Sequence, residues 1–158
     1  MSKAVRMIQH NVRKQGPVLD SLMNDVTIRD ATVLAIQEPH ARKIQGRLLT
    51  TPMGHQGWVK MVPPVCREGR WAIRSMLWIN KQAEAEQVPI HSPDLTAAIV
   101  RLAERTILVA SVYVPVTDAQ ALKETCEELR RTIKVVRSSS GTAVEVAIMG
   151  DFNRHDQL

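Results

Sequence analysis

The sequence predicts a mixed α/β (α+β) fold in a single domain over residues 1–158. The chain opens with a strand–helix–strand pattern, and a long amphipathic helix separates two apolar strands in its second half. Hydrophobic residues make up 44% of the chain and charged residues 23%, as in soluble globular proteins. This length is sufficient for one domain with a buried core.

The first half of the chain supplies a β–α–β unit. A short apolar run over residues 4–9 predicts a buried strand. Pro17 suits the first turn of a helix, and apolar residues then recur at helical spacing, at Leu19, Leu22, Met23 and Val26. A second apolar run over residues 32–37 stops at Glu38 and predicts the next strand.

Residues 43–73 are rich in glycine and proline and predict a long irregular loop, which is often a functional segment. Three arginines and two tryptophans lie in or beside it: Arg67, Arg70, Arg74, Trp58 and Trp71. Arginine and tryptophan together are typical of nucleic-acid surfaces, through phosphate contacts and base stacking. The alternative is that the tryptophans anchor a solvated loop to the core.

Three further strands are predicted over residues 75–80, 95–102 and 106–116. Only Ala103, Glu104 and Arg105 separate the last two, which indicates an antiparallel hairpin. A final apolar strand over residues 144–149 leads into Gly150 and Asp151.

The clearest helix is predicted over residues 118–137. Its apolar positions form one stripe: Leu122, Cys126, Leu129, Ile133 and Val136. Thr117, with Gln120 three positions later, resembles a capping box that would begin the helix.

Charge and cysteine content limit the possible partners and the cellular compartment of the protein. The formal charge of +5 is compatible with a polyanionic partner, although basic proteins without one are common. Cys66 and Cys126 form neither a disulfide framework nor a zinc motif, which predicts an intracellular protein. The sequence shows no signal peptide and no apolar run of membrane-spanning length, so no membrane partner is expected.

Polar residues occur where the hydrophobic strands end. Asn11 follows the first strand, Glu38 the second, Tyr113 lies near the end of the hairpin, and Asp151 and Asn153 follow the last strand. If these strand ends share one edge of the sheet, the side chains converge on a single pocket, where layered α/β folds bind ligands.

Such a pocket would offer only oxygen donors, which favours Mg²⁺ or Mn²⁺ over zinc. A tyrosine hydroxyl at Tyr113 would donate to a phosphate, and Asp151 would orient or deprotonate an attacking water. Taken singly, each residue also has a structural interpretation: Asn11 begins a turn, Glu38 ends a strand, and Tyr113 belongs to the core.

The ordered motifs QHNVRK, IQEPH, SVYVP and GDFN resemble the endonuclease/exonuclease/phosphatase superfamily, which includes deoxyribonuclease I. IQEP and GDFNRHD look most like the endonuclease domain of LINE-type non-LTR retrotransposons, which precedes a reverse transcriptase. The resemblance covers almost the whole chain. It implies that the chain is the N-terminal part of a four-layered α/β sandwich, the DNase I-like fold.

The resemblance assigns roles to the strand-end residues. Asn11 and Glu38 match metal-binding positions, and Tyr113 matches a tyrosine near the scissile phosphate. Asp151 matches the aspartate that acts on the water nucleophile, and Asn153 the asparagine that holds the phosphate. These roles imply cleavage of a phosphodiester with Mg²⁺. In retrotransposons the cleavage nicks DNA to prime reverse transcription, so DNA and a downstream reverse transcriptase domain are the implied partners, with a nuclear location.

Four residues are further candidates for nucleic-acid contacts: Arg67, Arg70, Arg74 and His155. His155 recurs after GDFN in the retrotransposon enzymes, but no mechanism is assigned to it.

The chain departs from the family pattern at its end. Family members continue past GDFN to an aspartate and a final Asp-His pair, and the five histidines of this chain match no such motif. We therefore expect a C-terminally incomplete domain with weak or no activity by itself. Two alternatives are a phosphatase or another phosphodiesterase of the same superfamily, and a non-catalytic remnant that binds nucleic acid.

Overall fold

The computed structural model describes residues 4–153, and His155 lies outside them. Within these residues the chain forms two α-helices, α1 (Gly16–Met23) and α2 (Ala119–Ser139), and a 3₁₀ turn (Val26–Ile28). Its strands are β1 (Met7–Asn11), β2 (Val33–Gln37), β3 (Ala41–Ile44), β4 (Arg47–Thr50), β5 (Trp58–Met61), β6 (Gly69–Arg70), β7 (Ser75–Asn80), β8 (Glu84–Val88), β9 (Leu95–Arg101), β10 (Thr106–Tyr113) and β11 (Val144–Asp151).

The strands form two four-stranded sheets and one small sheet. The first sheet has the order β1-β2-β7-β5, the second β11-β10-β9-β8, and the small sheet β4-β3-β6. Strands β1 and β2 are parallel, as are β10 and β11, and the other pairs are antiparallel. Each large sheet therefore has one parallel pair, whose carboxyl ends lie at the same edge.

The helices and the two large sheets pack in four layers. The two large sheets pack face to face through small and branched side chains, including Val33, Ala35, Leu77 and Ile79 from the first sheet and Ala98, Val100, Ile107 and Val109 from the second. Helix α1 covers the outer face of the first sheet with Leu19 and Met23. Helix α2 covers the outer face of the second sheet with Leu129 and Val136. The predicted α/β sandwich is confirmed.

Most predicted elements are present close to their expected bounds. The hairpin between β9 and β10 is confirmed, with antiparallel pairing from Leu95–Val112 to Arg101–Thr106. Helix α2 begins one residue later than predicted and ends at Ser139. Neither α-helix within residues 4–153 is long and apolar enough to cross a membrane.

The prediction of an irregular loop over residues 43–73 was wrong, because this segment contains strands. β3 to β6 are two to four residues long and sit between prolines and glycines, so no alternation of polar and apolar residues is visible in the sequence. Strand β8 was also missed, since its sequence EAEQV is mostly polar.

The predicted helix cap at Thr117 was wrong as well. The side chain of Asp118 caps α2, with its Oδ1 accepting from the backbone N–H of Ala121 at 2.8 Å. Thr117 instead has a left-handed backbone, with φ of 59°, and turns the chain from Val116 into the helix. An aspartate one position later provides the same capping chemistry.

Gly150 is required by the close approach of β11 to β10. Val112 on β10 pairs with Gly150 on β11 in the parallel register. A Cβ added at position 150 would overlap the carbonyl oxygen of Val112. We expect Gly150→Ala to force β11 away from β10 and to lower the free energy of unfolding by about 1–3 kcal/mol, measured by urea denaturation.

Gly141→Ala is the matched control. Position 141 lies in the turn before β11, and an added methyl there meets nothing within 4 Å. Its free energy of unfolding should stay within about 0.5 kcal/mol of the parent chain. Equal stability of the two variants would show that β10 and β11 do not pair as described.

Candidate active site

Asn11 and Asp151 join the first and last strands at one end of the sandwich. The Asn11 amide Nδ2 donates to Asp151 Oδ2 at 3.0 Å, between residues that are 140 positions apart. Asn11 Oδ1 accepts from the backbone N–H of Arg13, and Asp151 Oδ1 accepts from that of Asn153, both at 2.9 Å. Both side chains are therefore fixed in orientation by local hydrogen bonds.

Glu38 follows β2 at the same end. Its backbone N–H donates to the Arg74 carbonyl at 3.0 Å, and its own carbonyl accepts from the Lys14 N–H at 2.6 Å. The carboxylate Oε1 lies 3.5 Å from the Lys14 ammonium, and the side chain is 18% exposed. Glu38 is thus a partly exposed carboxylate with a cationic neighbour, Lys14.

Unusual backbone conformations concentrate around these residues. Four non-glycine residues of this end have left-handed φ angles between 46° and 63°: Arg13, Lys14, Glu38 and Asn153. Each such residue costs about 1–3 kcal/mol, and such residues gather at functional sites, where the surrounding structure enforces them. Here hydrogen bonds of Asn11 and Asp151 hold the two turns that contain Arg13 and Asn153.

Tyr113, at the end of β10, lies among charged groups of this site. The guanidinium carbon of Arg74 is 4.8 Å from the centroid of its ring. Burial raises the pKa of the Tyr113 hydroxyl, and the negative charges of Glu38 and Asp151 add to the rise, against the opposing charge of Arg74. The phenol therefore keeps its proton at neutral pH and is available as a hydrogen-bond donor.

Asp94 was not predicted from the sequence, although it organises two of the candidate arginines. Arg74 donates to it through Nε and Nη2 at 2.9 and 2.7 Å, and Arg67 through Nη1 and Nη2 at 3.0 and 2.9 Å. Burial alone would raise the pKa of the Asp94 carboxyl, but hydrogen bonds from Arg74 and Arg67 and their charges outweigh it and lower the pKa. Both guanidinium groups are thus engaged within the protein.

Asp94 stands at the beginning of a strand, whereas the predicted site residues stand at strand ends. It precedes β9, and Arg74 precedes β7, so both stand at strand beginnings rather than strand ends. Because β7 and β9 run antiparallel to β2 and β10, their beginnings lie at the same edge as Glu38 and Tyr113. A polar residue directly before an apolar strand is the signal that would have indicated Asp94.

A buried polar network lies beneath the site, between the two large sheets. Gln37 is fully buried and donates to Ser111 Oγ at 3.0 Å, and its Oε1 accepts from Gln9 at 2.6 Å. Ser111 Oγ donates to the Ile36 carbonyl at 3.0 Å, while Ser75 Oγ donates to the Ser111 carbonyl at 2.7 Å. These hydrogen bonds fix the strands that lead to Glu38 and Tyr113 relative to each other.

The remaining predicted residues have separate positions. The Asn153 amide donates to the Val114 carbonyl at 2.6 Å, which fastens the chain after β11 to the chain after β10. Arg70 is exposed on β6, on the small sheet. The proposed roles of these residues in catalysis and nucleic-acid binding stay predictions.

The donors at this end fit Mg²⁺ or Mn²⁺ in their chemistry. Within residues 4–153 no group of three or more His, Cys, Asp or Glu side chains is placed to hold a metal. Mg²⁺ does not need such a group, because it keeps several waters and is held by one or two carboxylates. The carboxylate of Glu38 and the amide oxygen of Asn11 are ligands of this kind.

Comparison with known proteins identifies the fold. No family model and no curated protein matches the sequence. Solved structures do match, and with the four layers described above they show that the chain has the endonuclease/exonuclease/phosphatase fold, as the sequence predicted.

One similar structure is the endonuclease domain of TRAS1, a telomere-specific non-LTR retrotransposon, with a TM-score of 0.72 and 15% identity over 97% of this chain and 61% of that chain. AP endonuclease LMAP from Leishmania major has a TM-score of 0.61 and 12% identity, over 92% of this chain and 54% of that chain. D. rerio TDP2, complexed with single strand DNA product, has a TM-score of 0.59 and 13% identity, over 96% and 62%. The chain thus spans between 54% and 62% of the length of these structures.

The paired Asp94 makes stability depend on acid pH. Its pKa is lower in the folded than in the unfolded chain, so its stabilisation is present above the unfolded value of about 3.9 and is lost as pH falls further. We expect Asp94→Asn to lower the free energy of unfolding at pH 7 by about 1–3 kcal/mol. The difference from the parent should shrink as pH falls from 5 towards 2, in urea titrations across that range.

Glu145→Gln is the control for this measurement. Glu145 also forms a two-point pair with an arginine, Arg105, but its side chain is 55% exposed. Solvent weakens such pairs, so the control should lose much less stability than Asp94→Asn at any pH. A pH-independent effect of Asp94→Asn would exclude its charge as the cause.

Proposed function

We propose that this chain carries part of the catalytic centre of a metal-dependent endonuclease that cleaves a phosphodiester in DNA. The observation that carries this proposal is the 3.0 Å hydrogen bond between Asn11 and Asp151, which joins strand ends from opposite sheets. It forms at the same end as Glu38 and Tyr113, and Asn153 follows Asp151 there, so all five predicted site residues lie at this end. The three structures compared above include two described as endonucleases and one complexed with DNA.

In the proposed reaction, Asp151 accepts a proton from the attacking water. The Asn11 amide holds its Oδ2 in place, and the Asn153 N–H holds Oδ1, so the carboxylate keeps one orientation. Tyr113 keeps its proton and donates a hydrogen bond to a non-bridging oxygen of the phosphate. Arg74 stands over the ring of Tyr113 and limits its movement.

Glu38 and Asn11 would hold a divalent cation in this scheme. When bound, Mg²⁺ would neutralise charge that develops on the phosphoryl oxygens. Lys14, 3.5 Å from Glu38, supplies a positive charge to the same carboxylate when no cation is there.

The retrotransposon origin belongs to the same proposal. Similarity to the TRAS1 endonuclease domain supports it, as do the IQEP and GDFNRHD motifs. On this proposal the protein nicks DNA in the nucleus, and a reverse transcriptase domain of the same polyprotein extends the free 3′-hydroxyl.

The nicking proposal is tested on the complete reading frame that contains this chain. It should convert supercoiled plasmid to the nicked form in Mg²⁺, and Asp151→Asn should slow the reaction about 10²–10⁴-fold because the general base is lost. Agarose-gel time courses measure the rate.

Two comparisons accompany this assay. Asp30→Asn changes a carboxylate whose side chain is 84% exposed and should leave nicking unchanged. Residues 1–158 alone should nick little, since they span only about three fifths of the similar domain. Undiminished nicking by Asp151→Asn would refute the assignment of the base.

Metal binding is measured directly with Mn²⁺, by the loss of the free-ion EPR signal in the presence of the chain. Glu38→Gln removes the charged donor and should weaken binding roughly tenfold or more. Glu86→Gln is the control, because Glu86 is an exposed carboxylate paired with Arg101 on the second sheet. If Glu38→Gln and the control bind Mn²⁺ alike, the metal does not bind at Glu38.

A further inference from the structure

Trp71 is the exposed member of the three tryptophans of this chain. Trp58 and Trp78 are 5% and 0% exposed and belong to the core, whereas Trp71 is 47% exposed directly after β6. Its φ of 62° lies in the left-handed region, where a bulky residue is an outlier. The sequence allowed the tryptophans either to bind nucleic acid or to anchor a loop to the core. In the structure Trp58 is a core anchor, and Trp71 presents its ring at the surface.

Lys14 connects this ring to the candidate active site. Its ammonium lies 3.1 Å from the centroid of the Trp71 ring and 3.5 Å from Glu38 Oε1. A cation over an indole face is favourable, and it holds the ring beside Glu38. The ring is therefore an immediate neighbour of the proposed metal ligand.

Two further cations adjoin Trp71 on the small sheet. Arg42 on β3 and Arg70 on β6 stand directly opposite each other across the antiparallel pair, and both are exposed. Like charges in this position are destabilising. In contrast, neighbouring Lys43 is paired with Glu68 at 2.7 Å. An anion between Arg42 and Arg70 would relieve their repulsion.

These groups surround one cavity of about 250 Å³. It is lined by Lys14, Pro39, His40, Ala41, Arg42, Arg70 and Trp71, so its lining contains an aromatic ring, three cationic side chains and no carboxylate. An aromatic surface beside several cations is the combination that single-stranded nucleic acid requires, because bases stack and phosphates pair. A membrane-binding surface would instead present a cluster of apolar side chains.

We propose that this cavity binds one unpaired nucleotide of the DNA strand beside the bond that is cut. The base stacks on the part of the Trp71 ring that Lys14 leaves exposed, and its phosphate lies between Arg42 and Arg70. The inference rests on the proposed endonuclease function, since it places the nucleotide next to Glu38. It adds a preference for DNA that is locally unpaired at this position.

Tryptophan fluorescence tests the proposal with the chain of residues 1–158 and oligothymidylate, in EDTA so that no cleavage occurs. Stacking on Trp71 should quench the emission, while the buried Trp58 and Trp78 stay unaffected. Trp71→Leu should weaken binding roughly tenfold, and Trp71→Phe should retain most of it, measured by anisotropy of a labelled oligonucleotide. A blunt duplex of the same length should bind Trp71→Leu and the parent chain equally.

Salt dependence tests the two arginines. Arg42→Gln and Arg70→Gln should each weaken oligothymidylate binding and flatten the plot of log affinity against log salt, by about 0.7 if one phosphate contact is lost. Arg47→Gln is the matched control, because Arg47 is an exposed arginine of the same small sheet, opposite Ile44 at the far end of β3. Its affinity and slope should equal those of the parent chain.

Nucleotide binding at Trp71 and DNA nicking through Asp151 are tested by different measurements, so either can fail without the other. Absence of quenching, or equal affinities of Trp71→Leu and the parent, would overturn the inference even if the complete reading frame nicks plasmid through Asp151. If oligothymidylate quenches the emission and Trp71→Leu weakens binding, the inference is supported even when Asp151→Asn leaves nicking unchanged. Loss of binding to phosphatidylserine vesicles in Trp71→Leu, without loss of oligothymidylate binding, would overturn it in favour of a membrane surface.

Discussion

The hydrogen bond between Gln37 and Ser111 fixes how the two large sheets meet, and the site depends on that register. Over most of their contact the sheets present only apolar side chains, whose attraction has no preferred direction. At one end, fully buried Gln37 and Ser111 pair across the interface, at 3.0 Å. A shift of either sheet would leave buried polar atoms without partners, at a cost of about 1–3 kcal/mol each.

This register brings candidate site residues from distant parts of the chain to one end of the sandwich. Gln37 precedes Glu38 directly, and Ser111 lies two residues before Tyr113, so fixing one pair places the other. The parallel pairing of β10 with β11 sets Asp151 beside Tyr113, and that of β1 with β2 sets Asn11 beside Gln37. The hydrogen bond from Asn11 to Asp151 links the ends of β1 and β11, and so connects the two sheets a second time at this end.

The sequence predicted the parts of the fold that have a periodic pattern or a distinctive strand end. Helix α2 and the hairpin β9–β10 are of the first kind, and Asn11, Glu38 and Asp151 are of the second. It did not predict β3 to β6, because strands of two to four residues are too short for a period to emerge. Nor did it predict the Asp94 pairs, since they depend on antiparallel neighbours that bring strand beginnings to the same edge.

The basic residues near the site fall into two groups with different electrostatic environments. Arg67 and Arg74 share Asp94, so one of their two positive charges is compensated beside Tyr113. Arg42 and Arg70 face each other around a cavity that has no carboxylate in its lining, so their charge is directed at solvent. Lys14 stands between the two groups, against both Glu38 and Trp71. Because the Lys14 ammonium touches the Trp71 ring and the Glu38 carboxylate at the same time, the two contacts together fix its position between the small sheet and the strand end of β2.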